Sequence, residues 1–215
     1  MKKLILPALF MAMLSAQAQK KERIPLAYEK AVSFSPLMLL GPDYTLTGGY
    51  EKRISPNLVL ASEAGIIMGS SYFSNMENSG RAWGILLRPS VKFFMDRDKN
   101  FYLQPQLFYK MVNNQLYDWL GKNCVDEVPA YDELQHFTLR RQAFGFNTIA
   151  GILVPNKSRK LLFDFYLGLG IRHKTMHVPG DEHSCYIPNG FGFGSFEQEG
   201  TFPNVAGGVR LLFVL

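Results

Sequence analysis

Eight stretches of this chain alternate apolar and polar side chains with a period of two, each bounded by turn-forming residues. Only a strand sends successive side chains to opposite faces, so the pattern predicts an all-β fold with one apolar and one polar surface. The clearest stretch is 161–177. Leu161, Phe163, Phe165, Leu167, Leu169 and Ile171 face one way, and Asp164, Tyr166, Gly168, Gly170, Arg172 and Lys174 the other. The first stretch, 28–39, sets Val32, Phe34 and Met38 against Ala31, Ser33 and Ser35. The second, 44–54, sets Tyr44, Leu46, Tyr50 and Ile54 against Thr45, Thr47, Gly49, Glu51 and Arg53. The third, 58–73, places Leu58, Leu60, Ala64, Ile66 and Met68 opposite Ala61, Glu63, Gly65 and Gly69. In 81–95, Trp83, Ile85, Leu87, Val91, Phe93 and Met95 oppose Gly84, Arg88, Ser90 and Lys92. In 101–116, Phe101, Leu103, Leu107, Tyr109 and Met111 oppose Gln104, Gln106 and Lys110. The stretch 136–154 is ambiguous in its inner half: Phe144, Phe146, Ala150, Ile152 and Val154 share a face that Ile149 and Leu153 do not. The last, 201–215, ends with Val209, Leu211, Phe213 and Leu215 against Gly208 and Arg210.

The connections alternate in length. Tight turns are expected at Ser55-Pro56-Asn57, at 96–100 and at 155–160, where turn residues cluster. Longer loops are expected at 74–80, 117–135 and 178–200. The first connection, Gly41-Pro42-Asp43, departs from this rhythm by being short. An even strand count with short turns at one end and long loops at the other is the habit of membrane barrels. The expected fold is a closed antiparallel eight-stranded transmembrane β-barrel, an up-and-down meander.

The N-terminus carries the marks of a secretory leader. Lys2 and Lys3 precede an apolar run from Leu4 to Leu14, and Ala16-x-Ala18 supplies small residues for cleavage. Residues 1–18 are therefore expected to be a signal peptide, and 19–215 the outer-membrane barrel domain. The apolar run is too short to span a bilayer, which takes about 20 residues. Removing Lys2 and Lys3 lowers the net charge from +5 to +3, too mild for a nucleic-acid partner. After the leader no uncharged 20-residue stretch remains, which excludes helical spans; a barrel escapes such a scan because only alternate residues face lipid.

Alternation alone does not say which face points outward. A soluble barrel puts its apolar face inside, and a membrane barrel puts it against lipid. Three features favour lipid. Glycines crowd the polar face (Gly49, Gly65, Gly69, Gly84, Gly168, Gly170, Gly208), where they weaken a solvated strand but make room inside a barrel. The strands are long beside the usual 5–6 residues. Aromatics gather near strand ends: Tyr44, Tyr72, Phe73, Trp83, Phe93, Phe101, Tyr102, Phe137, Phe163, Phe202 and Phe213. The leader, the eight runs and the closing segment 205–215 together resemble the small outer-membrane β-barrel superfamily, the architecture typified by OmpA and OmpX. The closing strand is similar to the C-terminal signal read by outer-membrane assembly machinery, although it ends in Leu rather than Phe. The resemblance implies location and fold. It carries over no active-site residues.

An eight-stranded barrel is just wide enough for its own side chains to fill. The charges assigned to its interior are Glu51, Arg53, Glu63, Arg88, Lys92, Lys110, Asp164, Arg172 and Arg210, with Lys174 beside them. They are expected to pair with one another rather than line a conducting pore. The four histidines are His136, His173, His177 and His183. On a strand His173 and His177 would stand about 13 Å apart, too far to share a metal. Asp181, His183 and Cys185 would ligate a metal only with the thiol reduced. His183 and Ser184 are adjacent, and neighbouring side chains tend to point apart; His173 or His177 could meet a loop Ser only by a geometry the sequence does not specify. The chain has no GxSxG, P-loop, dinucleotide or CxxC motif. Gly190-Phe191-Gly192-Phe193-Gly194 reads as a Gly-aromatic loop tip, not a phosphate cradle. Cys124 and Cys185 fall in two long loops at one end of the barrel, and export would supply the oxidising environment for a disulfide between them. The expected function is non-enzymatic and needs no cofactor: a filled, non-conducting Gram-negative outer-membrane barrel whose external loops bind a ligand or envelope partner or serve envelope structure. Its expected contacts are outer-membrane lipid and, during biogenesis, the barrel assembly machinery. The alternatives are a lipid-modifying outer-membrane enzyme and, third, a soluble periplasmic ligand-binding barrel.

Overall fold

The computed structural model describes residues 28–71, 80–95, 100–125, 128–181, 184–186 and 199–215. The leader 1–18, Tyr72 and Phe73, most of the 96–100 turn, His183 and the 190–194 tip lie outside the described residues. The strands are β1 (Lys30–Phe34), β2 (Asp43–Ser55), β3 (Leu58–Ser70), β4 (Ala82–Phe94), β5 (Phe101–Lys122), β6 (Tyr131–Pro155), β7 (Leu161–His177) and β8 (Gly200–Val214). Each pairs antiparallel with its neighbour in sequence, and β1 pairs with β8, so the order β1-β2-β3-β4-β5-β6-β7-β8 closes on itself. Closure gives every strand two partners, and no edge is left open within the ring. One end carries the tight turns together with Tyr28 and Leu215; it is called the turn end. The other, the loop end, carries the connections β1–β2, β3–β4, β5–β6 and β7–β8.

The period-two pattern translates directly into two surfaces. Along β3 the burial alternates from Val59 through Ala61, Glu63, Gly65 and Ile67 (inside) against Leu60, Ser62, Ala64, Ile66 and Met68 (outside). On β7, Leu162, Asp164, Tyr166 and Gly168 are buried while Phe165, Leu167, Leu169 and Ile171 are exposed. Register resolves the ambiguity on β6. Ile149 and Leu153 point inward, to a cluster with Tyr28, Tyr102, Leu162 and Leu212, and Phe144, Phe146 and Val154 point outward.

Two elements differ from the sequence expectation. The first strand stops at Phe34 instead of running on to 39, and Pro36–Leu40 form a 3-10 helix. Pro36 has no N–H to donate to the ladder, so the strand ends before it. Met38, expected to share a face with Val32 and Phe34, belongs to that helix. The larger correction concerns 117–135. Most of it is not loop: β5 continues to Lys122, β6 begins at Tyr131, and the pairing Gln115↔Thr138 to Lys122↔Tyr131 is unbroken. Pairing with the flanking strands ends lower, at Ala82↔Asn114 and Arg140↔His177. A two-stranded ribbon therefore projects from the loop end of the ring.

The polarity of the pattern inverts where the ribbon leaves the ring. Below that level the inward residues of β5 and β6 include Gln104, Gln106, Lys110, Arg141 and Asn147. Above it, Leu116, Leu120, Phe137 and Leu139 are buried, and Met176, Val178 and Tyr186 pack against them. The ribbon thus carries apolar residues on both faces, Leu116, Leu120 and Phe137 inside and Trp119 and Leu134 outside, so no single alternation marks it as strand in the sequence.

Candidate functional site: the lumen and its cap

The lumen is layered. At the turn end an apolar plug is formed by Tyr28, Ala31, Val59, Phe94, Tyr102, Ile149, Leu153, Leu162, Tyr166 and Leu212. Arg53 closes this mouth: its Nε donates to Tyr28 O at 2.7 Å and its Nη1 to Pro56 O at 2.7 Å, while the guanidinium lies over the rings of Tyr28 and Phe94. It is half-buried at the rim rather than within the charged layer.

That layer comes next. Lys92 Nζ lies 2.7 Å from Glu51 and 2.9 Å from Asp164, with its side chain fully sealed from solvent. Arg210 lies 2.6 Å from Glu63 and 3.1 Å from Asp164, and Arg88 sits 3.5 Å from Glu63. Three acids thus face three bases. Neutral donors satisfy the remaining oxygens: Tyr28 donates to Glu51 at 2.5 Å and Tyr102 to Asp164 at 2.5 Å. Arg210 donates to Gln104 at 3.1 Å, and Gln104 donates to Ser90 at 2.6 Å. Ions buried this deeply persist only when paired and hydrogen-bonded. The sequence placed Glu51, Glu63, Arg88, Lys92, Asp164 and Arg210 on inward faces but did not pair them; register does.

A belt of amides follows, with Asn204 donating to Asn147 at 2.7 Å and Asn147 to Gln106 at 3.3 Å. Above it, Asp43 receives Lys110 and Arg141, the latter at 3.0 Å, and Arg141 also donates to Ser70 at 3.1 Å. Asp43, Lys110 and Arg141 line a cavity of about 50 Å³ together with Val112, Gln142, Ala143, Arg172 and Lys174. Such a volume suits water or a very small ligand. Lys110 and Arg172, both expected inside, belong here. Asp43 and Arg141 were missed. The sequence suggests Asp43 as the third residue of a turn; it begins β2 as a buried acceptor instead. Arg141 was missed because the alternation of β6 was unassigned; its spacing from Asn147 by an even number of residues was the available signal.

The cap above the lumen is tied by the disulfide. Cys124 and Cys185 are bonded, with Cα atoms 6.0 Å apart. Cys185 also exchanges backbone hydrogen bonds with Gly121, at 3.1 Å in each direction. Tyr186 donates to Asp118 at 2.8 Å and packs on Phe137, and Lys122 pairs with Asp181 at 2.6 Å. Ser184 donates to Asp181, not to a histidine. His173 faces outward, with Nδ1 3.0 Å from Thr201 Oγ1 and its ring against Phe144; His136 stacks on Tyr117. Among the described residues no three His, Cys, Asp or Glu side chains converge as a metal site. Of the aromatics expected at strand ends, Tyr102 and Phe137 are buried inside, whereas Tyr44, Trp83, Phe93, Phe101 and Phe213 are exposed on the outer face.

No family model matches the chain, and no curated protein or solved structure is significantly similar to it.

Proposed function

We propose that the chain is an exported, non-enzymatic outer-membrane β-barrel with a filled, non-conducting interior, and that its loop end meets an external ligand or envelope partner. The observation that carries the membrane reading is the inverted polarity of the ring. Its outer face is an apolar belt, with Ile66 63 %, Leu167 65 %, Leu169 69 % and Val205 70 % exposed, while Lys92, Asp164 and Arg210 are sealed inside. A soluble monomer rarely exposes so continuous an apolar surface. In a bilayer the same belt faces hydrocarbon, and ring closure satisfies the backbone. The 13-residue strands β2, β3 and β4 exceed the 9–11 residues a tilted span requires.

The upper limit of the belt supports the reading independently. At the outward-parity positions of β5 and β6, Met111 and Phe144 give way to Asn113, which is itself buried, and to Arg140, whose Nε donates to Asn113 Oδ1 at 2.9 Å. Just above that pair the inward face turns apolar at Leu116 and Leu139. Above the apolar plug the inner face of the ring is polar, and it turns apolar again where the ribbon leaves the ring, which fits a change of outer medium from lipid to water. The ribbon then presents Trp119 and Leu134, cross-strand partners and both exposed, as the contact face for a partner outside the membrane.

Cell fractionation followed by gel migration tests this. The protein is expected in the outer membrane, and unboiled in detergent it should run as a compact species that shifts on heating. Recovery as a detergent-free soluble monomer would overturn it.

A further inference from the structure

We infer that the turn end carries an arc that binds anionic phospholipid headgroups, built from Lys30, Lys52, Lys157, Arg159 and Lys160. The inference rests on the membrane reading. Backbone bonds place the five cations side by side. Val214 N donates to Lys160 O at 2.9 Å, Leu215 N donates to Lys30 O at 3.1 Å, and Lys30 is the cross-strand partner of Lys52. Lys160, Lys30 and Lys52 thus lie in one row across β7, β8, β1 and β2, about 14 Å long at the usual strand spacing. Lys157 and Arg159 extend it through the β6–β7 turn.

All five side chains are exposed, and none forms an ion pair with a described residue. Of the carboxylates adjacent to them in sequence, Glu29 is exposed, and Glu51 is buried in the lumen against Lys92. The loop end differs: there Asp118, Asp132, Glu133 and Asp181 accompany the cations. Arg159 adopts φ +57°, a left-handed conformation that Gly or Asn would take at less cost. A cation is held there all the same, in a turn closed by Arg159 N donating to Asn156 O at 2.9 Å.

The shape of the arc selects its ligand. It is convex and follows the lower margin of the apolar belt, where Val32, Phe213 and Leu161 are consecutive neighbours across β1, β8 and β7. A free anion would need a concave site. A headgroup whose acyl chains lie against Val32, Phe213 and Leu161 arrives at these cations already positioned. Each Lys or Arg near an anionic surface strengthens the attraction about fivefold.

The test reconstitutes the full chain into vesicles of equal phosphatidylcholine and phosphatidylglycerol, floats them, extracts in non-ionic detergent and weighs the retained lipid by native mass spectrometry. Wild type should retain phosphatidylglycerol over phosphatidylcholine by about fivefold or more. The variant with Lys30→Gln, Lys52→Gln, Lys157→Gln, Arg159→Gln and Lys160→Gln should lose that preference, and replacing the four lysines by Arg should keep it. Retention that inorganic phosphate abolishes would point to a free-anion site and overturn the inference. Equal retention of the two lipids by floated wild type would also overturn it, while leaving the membrane reading standing. Wild type that fails to float would sink both.

Discussion

Tyr102 lies across Gly151: a Cβ added to the glycine would stand 2.2 Å from the tyrosine hydroxyl. The two are cross-strand partners, and the row continues as Gly151↔Tyr166 and Tyr166↔Gly208. Each tyrosine fills the space its glycine partner leaves. From there Tyr102 reaches Asp164, and Tyr166 lies under the Arg210 guanidinium at 4.0 Å. Glycine on the inner face of this ring is thus what lets aromatic rings seat the charged layer.

Gly151→Ala should displace the Tyr102 ring and its hydrogen bond to Asp164. Overpacking of this kind costs about 1–3 kcal/mol. Gly48→Ala is the control, since its Cβ would meet only Ser33 O at 4.0 Å. Urea midpoints in detergent micelles should fall for the first variant and hold for the second. Equal midpoints would mean that the ring does not pack there.

Lys92→Met should leave Glu51 and Asp164 short of their shared cation. Breaking a buried pair from one side costs about 3–5 kcal/mol. Adding Glu51→Gln should recover part of the loss, because the coupled groups are then removed together. Additive losses in the double-mutant cycle would show that Lys92 and Glu51 act independently.

The plug around Tyr28, Phe94, Leu153 and Leu212 predicts an electrically quiet protein. Purified wild type in planar bilayers should give no reproducible porin-scale steps. Stable conductance of that size would require the plug and the charged layer to be open.

Alkylation and mass measurement of unreduced protein should find no free thiol and no covalent dimer. Loop-closure entropy for a separation of 61 residues allows up to about 4 kcal/mol. The effect of Cys124→Ser with Cys185→Ser on global stability should be smaller, because β6 and β7 already hold most of that loop in the ring. The local effect should dominate: proteolysis near 178–186 should quicken while the heat-shifted gel band remains. Unchanged proteolysis would mean that Tyr186, Asp181 and the Gly121 backbone bonds hold the cap unaided.

How much was legible depended on the surroundings of each residue. Leu161 to Ile171 could be read because one medium lies outside the strand and one inside, so the alternation keeps a single sign. The run 117–135 could not, because Leu120 within it joins Leu116, Phe137 and Leu139 in a cluster closed by Val178 and Tyr186, residues remote in sequence. The first strand ends earlier than its alternation suggests because side-chain parity does not register the missing N–H of Pro36, which ends the ladder after Phe34.

The sequence by itself determined eight strands, two faces, the placement of Glu51, Glu63, Arg88, Lys92, Asp164 and Arg210 together on the polar one, and the two cysteines, Cys124 and Cys185, available for a disulfide. Those follow from local properties: a side chain's polarity, its parity along a strand, and its position between turns. Only the tertiary structure decided that Lys92 bridges Glu51 and Asp164, that Asp43 holds Lys110 and Arg141, and that a ribbon stands above the ring. Those depend on register and closure, which bring together residues as far apart as Asp43 and Arg141, and no local pattern encodes the distance between two strands around a ring.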